Sequence, residues 1–269
     1  MKKIIVLLSF VCATIAFAAG DGFLSGDKLP NGLAILPPPP ETPNEPASKV
    51  PVPVSNLLPS FAEDQNISNQ IFVESRFFNA KEISKERYSQ AINDANTDPD
   101  NFINIFIDAL PLDSNISEEK KEQLKQLLKS HSDFFQKVIY DGKNSTTEAK
   151  DHYQRQRPYV YYSKNVCTHS DSDPDPSSDP DPHHSYPSAH STRGMVVAYT
   201  IADLLPNYRE QILARGVDYG DSRVICGAHW RSDVQAGRVM GNVVYSALKQ
   251  NSDFKANFDA IKQQVDALI

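Results

Sequence analysis

Three short segments in the second half of the chain carry residue types suited to holding and transferring a tetrahedral oxyanion. They are Lys150 with Arg157-Pro158, then Pro187-Ser188-Ala189-His190, then Ser222-Arg223 followed by His229 and Asp233. Together they supply three cations, a small-residue helix start, two histidines and a carboxylate. Lys150 and Arg157 stand seven residues apart, close to two helical turns, so the spacing predicts both on one helix face with Pro158 ending that helix. Ser188 and Ala189 are small and follow a proline. The free amides of a first helical turn there would form an anion site, to which Ser188 adds a hydroxyl, and His190 would sit beside it. His229 and Asp233 are four apart; on a shared helix face the carboxylate accepts the Nδ1–H and leaves Nε2 free to attack. Each segment alone has a plainer reading: surface cations, an ordinary helix start, an exposed His–Asp pair worth about 0.3 kcal/mol. Their joint order and spacing point to phosphoryl transfer with no catalytic metal and no cofactor, three cations doing the electrostatic work that a divalent ion does elsewhere.

The elements that must position these residues read as helices. Leu124, Leu127, Leu128, His131, Phe135, Val138 and Ile139 recur at steps of three and four. Ser117 is placed to cap that stretch, and His131 falls on its apolar stripe as a packed residue. Ser145-Thr146-Thr147-Glu148 reads as a capping box for the helix carrying Lys150. A further helix runs from Pro187-Ser188 to Leu205, another over 231–249 with Ala236, Gly237 and Gly241 for close packing, and a last amphipathic one through Phe254, Phe258, Ile261, Val265 and Leu268. Earlier helices are expected over 68–79, 84–96 and 100–110. Tyr159 to Tyr162 is the most strand-like stretch, and it is short. The expectation is an all-α protein with a helical domain over 59–269.

The chain has 269 residues and a formal net charge of −7. Lys2, Lys3, the apolar run Ile4–Phe17 and Ala16-Phe17-Ala18 match a cleaved export signal over 1–18. Its removal leaves 251 residues, enough for one domain, and moves the charge to −9. That acidity argues against a nucleic-acid partner, and no second stretch is long and apolar enough to make the membrane a partner. Of three cysteines, Cys167 and Cys226 lie beyond the signal; in an exported chain they point to a disulfide, two buried thiols being the alternative. Residues 19–58 are rich in proline and include Pro37-Pro38-Pro39-Pro40. They read as an extended leader strapped over the domain, with partner docking the second reading. Between the first two segments, Asp171, Asp173, Asp175, Asp179 and Asp181 alternate with proline and serine before His183 and His184. The loop 171–184 reads first as solvated and second as a metal site, and it lacks the glycine on which the common calcium loop turns.

The pattern Lys-x6-Arg-Pro, Pro-Ser-small-His, Ser-Arg-x5-His-x3-Asp resembles the type-2 phosphatidic acid phosphatase superfamily. Within it the chain resembles the bacterial class A non-specific acid phosphatases, most closely through Ser185-Tyr186-Pro187-Ser188 and Ser222-Arg223-Val224-Ile225-Cys226-Gly227-Ala228-His229-Trp230. The resemblance implies an all-α fold and a metal-free acid phosphatase acting on small phosphorylated metabolites or nucleotides from the periplasm or outside the cell. It implies phosphate held by Lys150, Arg157, Arg223, Ser188 and the amides of Ala189 and His190. It implies His229 as nucleophile, His190 as acid and then base, and Asp233 orienting His229. Self-association is a further, weaker implication. Ala189 departs from the family's glycine; a helical first turn has negative φ, which alanine tolerates. The acidic loop is expected to disfavour highly charged substrates such as nucleoside triphosphates. The competing readings are an apyrase-like nucleotide phosphohydrolase, a haloperoxidase holding vanadate in the same cradle, and a non-catalytic anion- or metal-binding protein.

Overall fold

In a computed structural model of the protein, residues 22–40, 63–67, 83–164, 166–167 and 182–269 are described. The expected export signal over 1–18, about half of the expected leader over 19–58, the helix expected over 68–79 and residues 171–181 of the acidic loop lie outside them. The described residues form α-helices and 3-10 turns and contain no β-strand. Besides the helical residues 63–67, the α-helices with defined bounds are α1 (Gly32–Ile35), α2 (Lys85–Asn93), α3 (Pro99–Asp108), α4 (Glu118–Lys129), α5 (Ser132–Asn144), α6 (Thr147–Tyr153), α7 (Pro158–Tyr161), α8 (Ala189–Leu204), α9 (Arg209–Ile225), α10 (Arg231–Leu248) and α11 (Ser252–Leu268).

Helix α8 is the axis of the fold. Twelve of its residues are buried, from His190 through Leu204, and a helix apolar on all sides must be surrounded. Helices α5, α9 and α10 pack directly against it. Phe102, Phe106, Phe135, Ile201, Tyr219 and Met240 join the resulting core. Helices α3 and α4 pair beside this bundle, and α11 closes onto α4. Capping follows the sequence: Ser117 Oγ accepts from the Lys120 amide, Asp98 caps α3 with Pro99 at its first position, and Asn251 caps α11.

The close packing expected of Gly237 and Gly241 is present. A Cβ at Gly237 would stand 2.5 Å from the Ser188 carbonyl oxygen, and one at Gly241 would stand 2.6 Å from Met195 Cβ. Glycine at 237 therefore lets α10 touch the start of α8, where the second chemical segment lies. Gly237→Ala is expected to destabilise the protein by about 1–3 kcal/mol. Urea denaturation checks this; unchanged stability would show that the contact relaxes freely.

Residues 22–40 pack against the helices. The amides of Phe23 and Leu24 donate to the Asp141 carboxylate at 2.8 and 3.1 Å, and the Phe23 ring packs on Phe134 and Phe254. Further along, the Gly32 amide donates to the Ser145 carbonyl, and Tyr186 Oη donates to the Pro37 carbonyl.

Several local expectations are corrected. The long periodic stretch is two helices, broken at Ser130 and His131, and His131 stands at the junction, with Nε2 3.5 Å from Gln264 Oε1. Ser145 ends α5 and bonds back to the Gly142 carbonyl, so no capping box opens α6. Helix α6 stops at Tyr153, where Gln154 takes a left-handed conformation (φ 44°), and Pro158 opens α7 rather than ending α6. The stretch Tyr159 to Tyr162 is helical, not extended. No periodic apolar stretch predicts α9.

Candidate active site

The three segments converge on one cavity of about 440 Å³, lined by Lys150, Arg157, Ala189, His190, Arg223 and His229 among others. Lys150 and Arg157 do not share a helix: Lys150 sits on α6, and Arg157 caps α7 after the chain has turned at Gln154. That turn, not a helix face, brings both cations to the cavity. The Lys150 ammonium donates to the His184 carbonyl, and the Arg157 guanidinium to the Ala228 carbonyl at 3.0 Å.

His229 precedes α10 instead of lying on it, since Trp230 is the N-cap and Asp233 the third helical residue. Asp233 Oδ2 accepts from the Trp230 amide at 2.8 Å, from Ser185 Oγ at 2.5 Å, and lies 3.4 Å from His229 Nδ1. The i,i+4 pairing thus forms across a helix cap. On the other side of the ring, Arg157 Nη1 is 3.0 Å from Nε2. A guanidinium can only donate, so Nε2 carries the lone pair and Nδ1 carries the proton that faces Asp233. Burial first, and the Arg157 charge second, pull the His229 pKa down to about 3, against Asp233. Burial would raise Asp233, but the Arg155 guanidinium and the His229 and Ser185 bonds hold it well below the usual carboxylate range. The pair is a neutral imidazole backed by a full carboxylate.

His190 projects from the first turn of α8 and stacks on Tyr219 with ring centroids 4.5 Å apart and planes 8° from parallel. Its Nε2 is 2.6 Å from the Asp94 carbonyl oxygen. A carbonyl only accepts, so Nε2 is the N–H and Nδ1 is the nitrogen free to exchange a proton. Burial, then Arg223 and Arg193, push its pKa far down. Ser188 is the N-cap of α8, its Oγ accepting from the Ser191 amide at 3.2 Å. It is fully buried and is not among the residues lining the cavity, so the geometry gives it a capping role. The Ala189 and His190 amides are first-turn donors with no intrahelical acceptor, and both residues line the cavity. Arg223, on the last turn of α9, is 7% exposed, and burial brings its pKa to about 10, with Arg157 adding to the effect. Cys167 and Cys226 form a disulfide beside it, Cys226 lying 3.8 Å from Arg223 Nη1.

Several residues escaped the sequence reading. Arg155 is fully buried between two carboxylates, donating to Asp233 Oδ1 at 2.6 Å and to Asp64 Oδ2 at 3.0 Å. Asp64 also accepts from the Ser232 amide at 2.9 Å, and burial raises its pKa in spite of Arg155. Asp94 receives Arg215 and Ser222 on its carboxylate while its carbonyl holds His190. Arg193 and Lys143 line the cavity outside the three segments. Nothing in residue type separates Arg155 or Asp64 from surface charges. Only the Arg-x-Arg spacing with Arg157 could have flagged the first.

Burial of a neutral histidine leaves a signature in stability. Between the folded pKa near 3 for His229 and about 6.5 in the unfolded chain, only the unfolded state takes up the proton. Stability of the ligand-free protein is therefore lost as pH falls through that window, by at most about 1.4 kcal/mol per pH unit per histidine. His229→Gln removes one such proton. Between pH 6.5 and 4.5, the wild type is expected to lose up to about 2.7 kcal/mol more than this variant. Denaturant titrations at the two pH values measure the difference, and parallel losses would mean that His229 is charged when folded.

Residues 137–255, which contain all three segments from Lys150 to Asp233, match the family model of the PAP2 superfamily. The chain is 28% identical to a non-specific acid phosphatase of Providencia stuartii over 98% of each protein. It is 30% identical to a non-specific acid phosphatase of Salmonella typhimurium over 67% of each. It is 37% identical to an acid phosphatase of Zymomonas mobilis over 44% of this chain and 43% of that protein.

Proposed function

Since this chain belongs to the PAP2 superfamily, and within it to the bacterial class A acid phosphatases, we propose that it hydrolyses phosphate monoesters through a phosphohistidine on His229, without a catalytic metal. The observation that carries this reading is the His229 ring itself: Nδ1 faces Asp233, and Nε2 faces Arg157 at 3.0 Å in a cavity rich in fixed cations.

The substrate phosphoryl group is held by Lys150, Arg157, Arg223 and the amides of Ala189 and His190. Arg157 exchanges its bond to Nε2 for one to a phosphoryl oxygen, and that frees the lone pair. Nε2 then attacks phosphorus, the P–N bond forms, and the P–O bond to the leaving group breaks. Asp233 stabilises the charge gained by the ring. His190, protonated at Nδ1, passes that proton to the departing alkoxide. Bound phosphoryl charge offsets Arg223 and Arg193, so substrate raises the affinity of His190 for this proton, and mildly acidic pH supplies it. In the second half, His190 takes a proton from water, whose oxygen attacks phosphorus as the P–N bond breaks. Inorganic phosphate leaves and both histidines are restored.

Export to the periplasm or medium is part of the proposal, supported by the signal-like residues 1–18 and by the disulfide. Among the described residues no helix is long and apolar enough to cross a membrane. Small phosphorylated metabolites or nucleotides are the proposed substrates.

A substrate panel at pH 5–7 with and without EDTA tests the reaction class; loss of activity on chelation would contradict it. His190→Ala tests the acid role. Esters of poor leaving groups such as aliphatic alcohols are expected to lose about 10²-fold or more in kcat/KM, and p-nitrophenyl phosphate far less. Equal losses on both would remove His190 from leaving-group protonation.

A further inference from the structure

Five cations line the cavity, Lys143, Lys150, Arg157, Arg193 and Arg223, against one carboxylate among the described residues, Asp151. Three of them suffice for the phosphoryl group under transfer. Arg193 and Lys143 remain, in a protein whose overall charge is −7. Arg193 lies one helical turn beyond His190 on α8. Its Nε donates to the Ala189 carbonyl at 3.2 Å, and among the described residues it has no carboxylate within ion-pair distance. Lys143 is on the last turn of α5, which approaches α8 closely at this level: a Cβ on neighbouring Gly142 would stand 3.2 Å from Arg193 Cα. The two surplus cations therefore come from facing helices, on the side of the cavity where His190 serves the leaving group.

We propose that Arg193 and Lys143 form a second anion subsite, which selects substrates whose leaving group carries a further phosphoryl group. This rests on the assignment of His190 to the leaving-group side in the proposed reaction. A half-buried guanidinium with no carboxylate partner is costly unless a ligand supplies the counter-charge. Placed next to the acid, it meets an anion attached to the departing oxygen rather than the phosphoryl group itself. The lysine at the exposed rim adds attraction on approach. Arg193 also lowers the proton affinity of His190; a second anion at Arg193 relieves that, so such substrates also help to charge the acid.

The test compares 2-hydroxyethyl phosphate with ethylene glycol bisphosphate, which share a leaving oxygen and differ in the second anion, with pyrophosphate as the short-spacing arm. In the wild type, kcat/KM for the bisphosphate is expected to exceed that for the monophosphate by about tenfold or more at low salt, in line with one charge-assisted contact. Arg193→Gln is expected to bring this ratio below about threefold, Arg193→Lys to keep part of it, and exposed Lys143→Gln to lower it and weaken its salt dependence. The competitive inhibition constants of butylphosphonate and butane-1,4-bisphosphonate, whose four-atom spacer matches that of the glycol bisphosphate, give the corresponding ratio without turnover. They also remain readable for Lys143→Gln if Arg193→Gln fails to fold. A wild-type ratio near one, or ratios unchanged in the variants, overturns the subsite. Pyrophosphate preferred over the glycol bisphosphate places the second anion closer than an ester spacer allows and overturns the ester assignment. A wild type inactive on all monoesters instead defeats the underlying reaction.

Discussion

His229→Ala is expected to lose turnover of phenyl phosphate by on the order of 10⁴-fold or more, the scale seen when a nucleophile held by an oriented partner is removed. The cations at Lys150, Arg157 and Arg223 and the first-turn amides of α8 stay in place, so inorganic phosphate is expected to bind the variant with an affinity within about tenfold of wild type. Steady-state kinetics and calorimetric titration with phosphate read the two quantities separately. A loss of less than tenfold in kcat would contradict the nucleophile. Loss of phosphate binding along with turnover would mean instead that the ring holds the cavity open.

Arg155→Met carries the largest expected effect on stability. Arg155, Asp64 and Asp233 are each 0% exposed, and the guanidinium bridges the two carboxylates at 3.0 and 2.6 Å. Breaking a buried ion network from one side strands the other charges and costs about 3–5 kcal/mol. For a protein of this size that lowers Tm by roughly 6–20 °C. Adding Asp64→Asn removes one stranded charge and is expected to recover part of the loss. Since Asp233 loses its anchor on the side away from His229, kcat is also expected to fall at temperatures where the variant is folded. A Tm within about 2 °C of wild type would show that water or a neighbouring group replaces the guanidinium.

The chemistry was more legible than the scaffolding. Lys150, Arg157, Ala189, His190, Arg223 and His229 could be singled out because cations, histidines and a small-residue helix start are types with few structural reasons to recur at those spacings, and all of them line one cavity. How they reach it was not legible. The convergence of Lys150 and Arg157 depends on a left-handed Gln154, a conformation that no local signal demands of glutamine. Helix α9 escaped because its inner face is built from Ile212, Gly216, Tyr219, Gly220 and Arg223. Glycines there serve close approach to Met195, Ala198 and Ser191, so the aliphatic period that marks an amphipathic helix is missing. The i,i+4 spacing of His229 and Asp233 predicts a shared helix face; the structure has a capping arrangement instead, in which Asp233 serves the Trp230 amide and the imidazole together. Arg155 and Asp64 stayed hidden because partners so far apart in the chain cannot be matched before the fold is known.

Transfer of phosphorus to Nε2 of His229, as proposed, is tested most directly by rapid quenching of the enzyme during turnover of ³²P-labelled phenyl phosphate, followed by peptide mapping. Acid-labile, base-stable label confined to the peptide containing His229, and absent from His229→Ala, is the expected result. Label on His190, or no label in the wild type under conditions where turnover proceeds, would contradict it.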